Sequence, residues 1–337
     1  MNSTNENAAV ETSDHRKPRI TTLFIRRDVI LGILIVLIMA VMPFFNQYFL
    51  TFSNLSVLLI GSVHYALMAV GMSLLLVMGM IDLSIGSTMA LAGVIVSLAM
   101  KTAGLSVPVA IALALLATAL VGFINGVLVV KVGINFLIAT LATMGIIRGV
   151  VVILAEGGVA FLPSQFNAIG QTRFLGLLLP VWIMLVVVII VGVLLAKHRF
   201  FRQMYFIGSS PNAARLVGIK VDYVRIFAYV TSGLLSGLAG VLNAARFGSA
   251  QSTTGVGAEM IVISAAVLGG CSLAGGQGNM VGVFLGVVFI SLLSNVLVML
   301  NVSTYWHQPI NGFVLIAALA VDIAMRRWQA ERDRRGM

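Results

Sequence analysis

GSSPNAARLVGI, residues 208–219, is a short helix-forming stretch between long apolar runs, and the rest of the chain can be placed around it. Ser209 or Ser210 can cap the first amides of such a helix, Pro211 suits a first helical position, and Gly218 can close the end. A two-turn helix with an arginine is too short to cross a bilayer, which takes about 20 apolar residues. The stretch is therefore expected to lie outside or along a membrane.

The overall composition is that of an integral membrane protein. Of the 337 residues, 60% are hydrophobic and 9% charged, and the mean hydropathy is +1.07, whereas soluble domains carry about 25% charged residues. The net charge of +10 sits mainly in terminal and inter-helix segments, where it would orient the chain and contact anionic lipid headgroups. Because the basic residues form no face on a soluble domain, nucleic-acid binding is not expected. Cys271 is the single cysteine, so no internal disulfide is possible.

Apolar windows predict an all-α polytopic protein with about ten transmembrane helices. The windows fall near 29–45, 57–79, 84–100, 106–130, 134–154, 178–196, 225–245, 258–271, 279–300 and 309–325. The eighth window is short, and a charged turn separates the second from the third. The chain thus divides into a polar N-terminal tail over 1–28, a transmembrane domain over 29–325 and a basic C-terminal tail over 326–337.

The distribution of basic residues predicts the orientation. An even number of spans places both termini on one side, and both termini are rich in arginine. The longest loop on that side, 197–224, is also basic, whereas the opposite loops hold only Lys101, Arg173 and Arg246. By the positive-inside rule, both termini and the loop 197–224 are expected to be cytoplasmic, in a bacterial inner membrane.

Two spans end in similar sequences, which raises the possibility of an inverted five-helix repeat. Gly122-Phe-Ile-Asn125 closes the fourth span and Leu292-Leu-Ser-Asn295 the ninth. An offset of five spans would place the two in opposite directions, as inverted-topology repeats do. Chance similarity between apolar helices is the alternative.

Signatures of catalysis are missing from the sequence. It contains no phosphate-binding G-x-x-x-x-G-K-[ST] loop, no H-E-x-x-H zinc pair and no G-x-S-x-G elbow, and its four histidines are scattered. Gly276-Gln-Gly278 lacks the spacing of a dinucleotide fingerprint. Gly278, Gly282 and Gly286 recur every four residues instead, which predicts close helix packing, and Gly233, Gly237 and Gly240 predict the same. Neither catalytic residues nor a metal or cofactor site is expected.

Asp82, in Met80-Ile-Asp-Leu-Ser84-Ile-Gly86-Ser87, is the most informative acidic residue. A charge at the bilayer centre is costly, yet Asp82 lies at the junction of two spans. It is expected to cap a helix, with Ser84 or Ser87 sharing that role. A proton or ion site is the alternative.

Several polar residues interrupt the apolar windows and are candidates for the lining of a translocation path. They are His64, Asn125, Asn135, Asn243, Glu259, Ser264 and Asn295, with Arg148 as a further polar residue. Each is either an interhelical hydrogen-bond partner or a ligand contact. Uncharged amides and hydroxyls predominate, which suits neutral polyhydroxylated molecules better than a cation or proton relay.

Five segments together resemble the ribose/arabinose/galactose class of ATP-binding-cassette permeases. They are 80–87, 135–144 with 148–149, 207–208 with 212–219, 268–272 with 275–278, and 312–322, so the resemblance covers about residues 50–325. The motif positions within it include Asp82, Ser84, Gly86, Gly275, Gly276 and Gly278. Branched-chain amino-acid permeases are more distant relatives. The chain departs from the pattern at Asn135, where the family often has proline, and at Cys271, where small residues are usual.

The resemblance implies a permease that pairs with a second permease copy or a related permease, a cytoplasmic ABC ATPase on a separate chain and a periplasmic sugar-binding protein. It also implies that residues 212–218 form the coupling helix that docks on the ATPase. The implied coupling residues are Gly208, Asn212, Ala213, Ala214, Arg215 and Gly218. Arg215 either contacts the ATPase or simply marks the cytoplasmic face.

The expected function is monosaccharide import by ATP-driven alternating access, with no enzymatic activity in this chain. A sugar alcohol, a furanosyl quorum signal or a branched-chain amino acid is the alternative solute for the same architecture. An ion-coupled transporter would instead use Asp82 and Glu259 as coupling carboxylates. An intramembrane enzyme would need a nucleophile and base, or a metal cluster, that the residue spacing does not supply.

Overall fold

The computed structural model describes residues 27–156 and 158–306, together with 309–310, 312–314, 316–317, 320 and 323. Its helices are α1 (Arg27–Val41), α2 (Phe52–Val77), α3 (Ile85–Lys101), α4 (Val107–Val130), α5 (Phe136–Ala155), α6 (Ser164–Gln171), α7 (Leu179–Lys197), α8 (Arg199–Ser209), α9 (Pro211–Leu216), α10 (Val221–Phe247), α11 (Ala258–Leu268) and α12 (Met280–Met299). Its strands are β1 (Val159–Ala160), β2 (Arg173–Phe174), β3 (Leu177–Leu178) and β4 (Ser249–Ala250). Most of the predicted N-terminal tail, about half of the tenth predicted span and the whole C-terminal tail lie outside the described residues.

Length and composition divide the apolar helices into two groups. Within the described part of the chain, 6 helices are long and apolar enough to cross a membrane, namely α2, α4, α5, α7, α10 and α12. The segment Asp28–Phe44 and the helices α3 and α11 are apolar but shorter. The protein is therefore a multi-pass membrane protein, and the count of about ten spans stays a prediction.

Helices α2 and α10 form the centre of the protein. Helix α10 packs on α2, α3 and α4, and α12 packs on α2 and α11. Glycines allow this close approach, because a Cβ at Gly233 or Gly237 would overlap Thr118, and a Cβ at Gly282 would overlap the Gly269 carbonyl. The close packing predicted from the glycine spacing is therefore confirmed in both helices.

The short helices α3 and α11 begin inside the protein. Ser84, Ile85 and Gly86 at the start of α3 are buried. The backbones of Gly86 and Gly255 lie so close together that a Cβ added to either residue would overlap the carbonyl oxygen of the other. Helix α11, which starts three residues after Gly255, is about 16 Å long. The N-terminal ends of the two short helices therefore converge in the protein interior.

Contacts between loops sort the connecting segments into two sets. In one set, β1 pairs antiparallel with β4, and the Lys101 ammonium donates to the Ala160 carbonyl at 2.7 Å. In the other, the Gly276 amide donates to the Val77 carbonyl at 2.8 Å, and Lys131, directly after α4, pairs with Asp222 in the first turn of α10. Each contact joins segments that the basic-residue pattern places on one side of the membrane.

Candidate functional site

The 208–219 stretch folds as its sequence predicts. Helix α9 has six residues, with Pro211 in its first turn, and the hydroxyl of the N-cap Ser210 accepts the Ala213 amide. Gly218 follows with φ +82°, a left-handed conformation that glycine adopts without strain. The prediction of a capped helix of about two turns is confirmed.

The last residue of α9 and the residue after it turn two apolar side chains outward. Leu216 is 89% exposed and Val217 is 74% exposed, whereas Ala214 is buried. Arg215 lies 3.5 Å from the Asp222 carboxylate, which also pairs with Lys131 at 2.8 Å. Exposed ion pairs of this kind contribute little stability. They do direct Arg215 toward α10, so Leu216 and Val217 are the apolar groups that α9 presents to a partner. Asn212 and Ala213 are exposed beside them.

Gly208, at the end of α8, lies against two other segments without an intervening side chain. A Cβ at Gly208 would overlap both the Val77 carbonyl at the end of α2 and the Gly276 amide. Gly275 and Gly276 have φ angles of +84° and +75°, which suit glycine, and they bring the 269–279 loop into this contact. We call the contact among Gly208, Val77 and Gly276 the glycine clasp.

A tyrosine side chain adds a second link between α8 and the same loop. The Tyr205 hydroxyl donates to the Gly278 carbonyl at 2.9 Å. Burial, with a smaller electrostatic contribution from Cys271, raises the pKa of Tyr205 to about 12. The phenol therefore remains a protonated donor at neutral pH. Since the loop leads from α11 to α12, the glycine clasp and Tyr205 connect the α8–α9 segment to both helices.

A polar cavity of about 390 Å³ lies between α2, α3, α10 and the segment before α11. It is lined by His64, Tyr65, Met89, Asn243, Phe247, Ser249, Gln251, Thr253, Thr254, Gly255, Val256 and Ala258. The lining offers amide, imidazole and hydroxyl groups together with two aromatic rings. None of these side chains is an aspartate, glutamate, lysine or arginine. The cavity therefore suits an uncharged ligand with many hydroxyl groups.

The loop that lines the cavity is held from behind by α5. Arg148 Nη1 donates to the carbonyls of Ser252 and Thr254, the latter at 2.8 Å. An arginine at the centre of a spanning helix costs about 2.5–3.5 kcal/mol on insertion scales. The two carbonyl bonds offset part of that cost. Arg148 also interacts electrostatically with Glu259, whose carboxylate lies beside Gly86.

Asp82 takes part in a buried polar network, but it does not cap α3. Its carboxylate accepts the Ser84 amide at 2.9 Å and the Ser84 hydroxyl at 2.6 Å. The Asn125 amide donates to the Ser84 hydroxyl at 2.9 Å. Ser84 is the N-cap residue, and its own side chain makes no capping bond. The prediction that Asp82 caps the helix is therefore wrong by two positions, because the carboxylate instead closes a turn ahead of the helix.

The structure brings only some of the predicted path residues together. His64 and Asn243 line the cavity, and Glu259 follows the lining residue Ala258. Asn125 belongs to the Asp82 network, and Asn135 is an exposed N-cap that accepts the Leu137 amide. The Ser264 hydroxyl bonds back to the Met260 carbonyl. Asn295 exchanges amide hydrogen bonds with Asn54 at 2.8 and 3.1 Å. None of these four side chains lines the cavity, and each makes a hydrogen bond to another group of the chain instead.

Comparison with known proteins shows similarity to transport permeases along most of the chain. The family model described as "Branched-chain amino acid transport system / permease component" matches residues 54–319. The chain belongs to this family. It is 38% identical over 297 residues to the ribose import permease protein RbsC of Escherichia coli strain K12, covering 86% of this chain and 92% of that protein.

Two further relatives extend the comparison. The permease is 34% identical over 299 residues to the autoinducer 2 import system permease protein LsrC of Escherichia coli O157:H7, with 88% and 87% of the two chains covered. It is 34% identical over 295 residues to RbsC of Haemophilus influenzae, with 86% and 91% covered. No solved structure matches the permease.

Sequence reasoning missed most of the cavity lining of the permease. Tyr65 lies within the predicted window 57–79, where an aromatic residue is ordinary, and Phe247 lies two residues beyond the window 225–245. Ser249, Gln251, Thr253 and Thr254 lie in a predicted loop between two spans, where polar residues are ordinary. The available signal was the largely polar run SAQSTTG over 249–255, interrupted only by Ala250, ahead of an unusually short apolar window.

Proposed function

We propose that this permease is the transmembrane subunit of a binding-protein-dependent ABC importer that carries a monosaccharide across the bacterial inner membrane. Transport proceeds by alternating access, and a separate cytoplasmic chain hydrolyses ATP. The relatives named for ribose and autoinducer 2 import support a small polyhydroxylated solute. A sugar alcohol or a furanosyl signal is the nearest alternative solute.

The observation that carries this proposal is the lining of the cavity. Its volume of about 390 Å³ falls in the usual range for small-molecule sites, roughly 300–1,000 Å³. Asn243, Gln251 and Thr254 offer donors and acceptors for sugar hydroxyls, and Tyr65 and Phe247 offer aromatic faces. A branched-chain amino acid carries two opposite charges, and the lining holds no carboxylate, lysine or arginine to pair with them. The neutral sugar is therefore the better fit.

Two surfaces serve the partner proteins in this proposal. The exposed Leu216 and Val217, at the end of α9 and directly after it, dock in a groove of the ATPase, and the cavity receives sugar from a periplasmic binding protein. The permease works as a pair, with a second copy or with a related permease. Gly208 and Gly218 support α9 by shaping the chain on either side of it, and Arg215 is held by Asp222.

We also propose ten spans with cytoplasmic termini, arranged as an inverted repeat of five. In such a repeat, each of the first five windows is equivalent to the window five places later. Helix α2 is then equivalent to α10, α3 to α11 and α4 to α12. The packing of α4 on α10 then corresponds to the packing of α12 on α2, and both occur. The convergence of the α3 and α11 N-termini at Gly86 and Gly255 is also typical of such repeats.

Replacing Asn243 with leucine should raise the KM for sugar uptake about tenfold, which corresponds to about 1.4 kcal/mol. The change keeps side-chain size but removes one amide that can bond a sugar hydroxyl. Uptake of D-ribose and of a panel of other monosaccharides would be measured in a host whose chromosomal copy carries the variant. Asn135→Ser is the matched control, because Asn135 lies outside the cavity and serine retains the helix cap. An unchanged KM together with an unchanged Vmax for every transported sugar in Asn243→Leu would reject the cavity as the ligand site.

The energy source can be tested separately in membrane vesicles. Uptake should require the partner ATPase, ATP and the binding protein. Uptake driven by a proton gradient alone would reject the importer and favour the ion-coupled alternative, with Asp82 and Glu259 as its carboxylates.

A further inference from the structure

Arg148 is a half-buried charged residue of a spanning helix, and it lies outside the cavity lining. It extends from α5, and a single terminal nitrogen, Nη1, donates to two backbone carbonyls, those of Ser252 and Thr254. Thr253 lies between those two residues in the loop before α11. One guanidinium thus holds the backbone of three consecutive residues.

The same loop presents its side chains to the cavity. Gln251, Thr253 and Thr254 all line it. Within the loop, the Thr254 amide donates to the Gln251 carbonyl at 3.2 Å, and the Val256 amide donates to the Thr253 carbonyl at 3.3 Å. Both bonds are long, so the loop's own backbone bonds do not fix it firmly. The charged donor behind it is the stronger constraint.

We infer that Arg148 is a positioning residue that sets the affinity and selectivity of the cavity for its sugar by fixing the 251–255 loop. The inference rests on the proposed function, because it assigns that role to a loop whose ligand site is itself proposed. Arg148 touches no ligand. It acts through the carbonyls of Ser252 and Thr254, and these determine where Gln251, Thr253 and Thr254 point.

Arginine suits this role for a geometric reason. Its planar guanidinium is rigid and always protonated, so two carbonyls can be held at fixed positions. A lysine keeps the charge and its interaction with Glu259, but its ammonium is a compact group on a shorter, more flexible chain. Arg148→Lys should therefore preserve charge compensation and loosen the loop.

The first test separates binding from turnover. Arg148→Lys should raise the KM for D-ribose, or for whichever monosaccharide the panel identifies, about five- to tenfold with Vmax largely retained. It should also reduce discrimination between sugar epimers, because the loop no longer fixes its hydroxyl partners. Ile146→Ala, at a 67% exposed position two residues away on α5, is the control and should leave KM and discrimination unchanged. A drop in Vmax at constant KM would indicate a merely structural role and overturn the inference.

The second test reports on the loop without transport. Cys271, the single cysteine of the chain, is buried, so Thr253→Cys introduces a thiol at an exposed loop position. In membranes, a hydrophilic maleimide should label Thr253→Cys, and bound sugar should slow that labelling. Adding Arg148→Lys should weaken the protection by sugar. Equal protection with arginine and with lysine at position 148 would overturn the inference.

Failure of this inference can be told apart from failure of the proposed site. If Asn243→Leu raises KM and Arg148→Lys does not, the cavity binds sugar and the positioning role is rejected. If neither changes KM, or if Thr253→Cys resists labelling, the cavity itself is rejected. Immunoblotting of membranes checks that each variant is present.

Discussion

Replacing Leu216 and Val217 together with glutamate is expected to lower sugar uptake by more than about 100-fold, although the permease still inserts into the membrane. Both side chains are largely exposed, so the fold loses little packing. A few apolar side chains commonly carry most of the binding energy of an interface, and two carboxylates would have to be desolvated in the partner's groove. Uptake and co-purification of the ATPase are the measurements, and unchanged uptake would show that α9 does not transmit the motor's movement.

The matched control is Leu175→Glu. Leu175 is 76% exposed, but it lies in the turn between β2 and β3, in a loop that the charge pattern places on the opposite side of the membrane. The same substitution there should leave ATPase association intact. Loss of ATPase association in both variants would indicate a general effect of added negative charge.

Replacing Gly208 with alanine is expected to destabilise the permease by about 1–3 kcal/mol, the usual range for overpacking, and to abolish uptake. Alanine ordinarily stabilises a helix relative to glycine by about 0.5–1 kcal/mol. At this position, however, the added Cβ overlaps the Val77 carbonyl and the Gly276 amide. The glycine clasp must therefore open, and the Gly276–Val77 hydrogen bond is lost. Thermal unfolding of the purified protein and uptake in cells are the measurements.

Gly145→Ala is the control for the glycine clasp. Gly145 also lies within a helix, α5, but a Cβ there would meet nothing within 4 Å. That substitution should leave uptake unchanged and stability equal or slightly higher. If Gly208→Ala behaves like Gly145→Ala, the clasp is not needed to hold α8 against the 269–279 loop.

Together these two variants examine one physical connection from opposite ends. Helix α9 presents Leu216 and Val217, and α8 is fixed to the 269–279 loop by the glycine clasp and by Tyr205. The loop continues directly from α11, whose N-terminal end meets Gly86 beside the cavity. A displacement of α9 therefore has a short path, through closely packed backbone, to the lining of the cavity.

Much of this arrangement is local in origin, and those parts could be predicted. The caps of α9 follow from Ser210, Pro211 and Gly218, because capping depends on neighbours three or four residues apart. The close packing of α12 on α11 follows from glycines spaced every four residues on one helix face. Asp82 was assigned to the correct turn, but to the wrong role, since the residue that caps α3 depends on where the chain first adopts helical angles.

The translocation candidates show where such reasoning stops. A polar side chain in an apolar window is either an internal hydrogen-bond partner or a cavity group, and the sequence is the same in both cases. Asn295 and Asn243 both lie in apolar helices. The Asn295 amide donates a hydrogen bond to the Asn54 side chain, whereas Asn243 lines the cavity. The difference depends on a partner 241 residues away in the chain.

The sequence by itself determined that this chain is a multi-pass helical membrane protein, because hydropathy, charge distribution and capping are local properties of the chain, and the resemblance of its motif segments indicated the permease class. It also located the short helix at 208–219, although not the two side chains that this helix presents outward. Only the tertiary structure decided that the polar run at 249–255 lines a cavity with His64 and Asn243, and that Arg148 holds this run from behind. The relations of this run to Arg148 and to His64 join segments about 100 to 190 residues apart, and they arise from the packing of helices whose sequences carry no record of their neighbours.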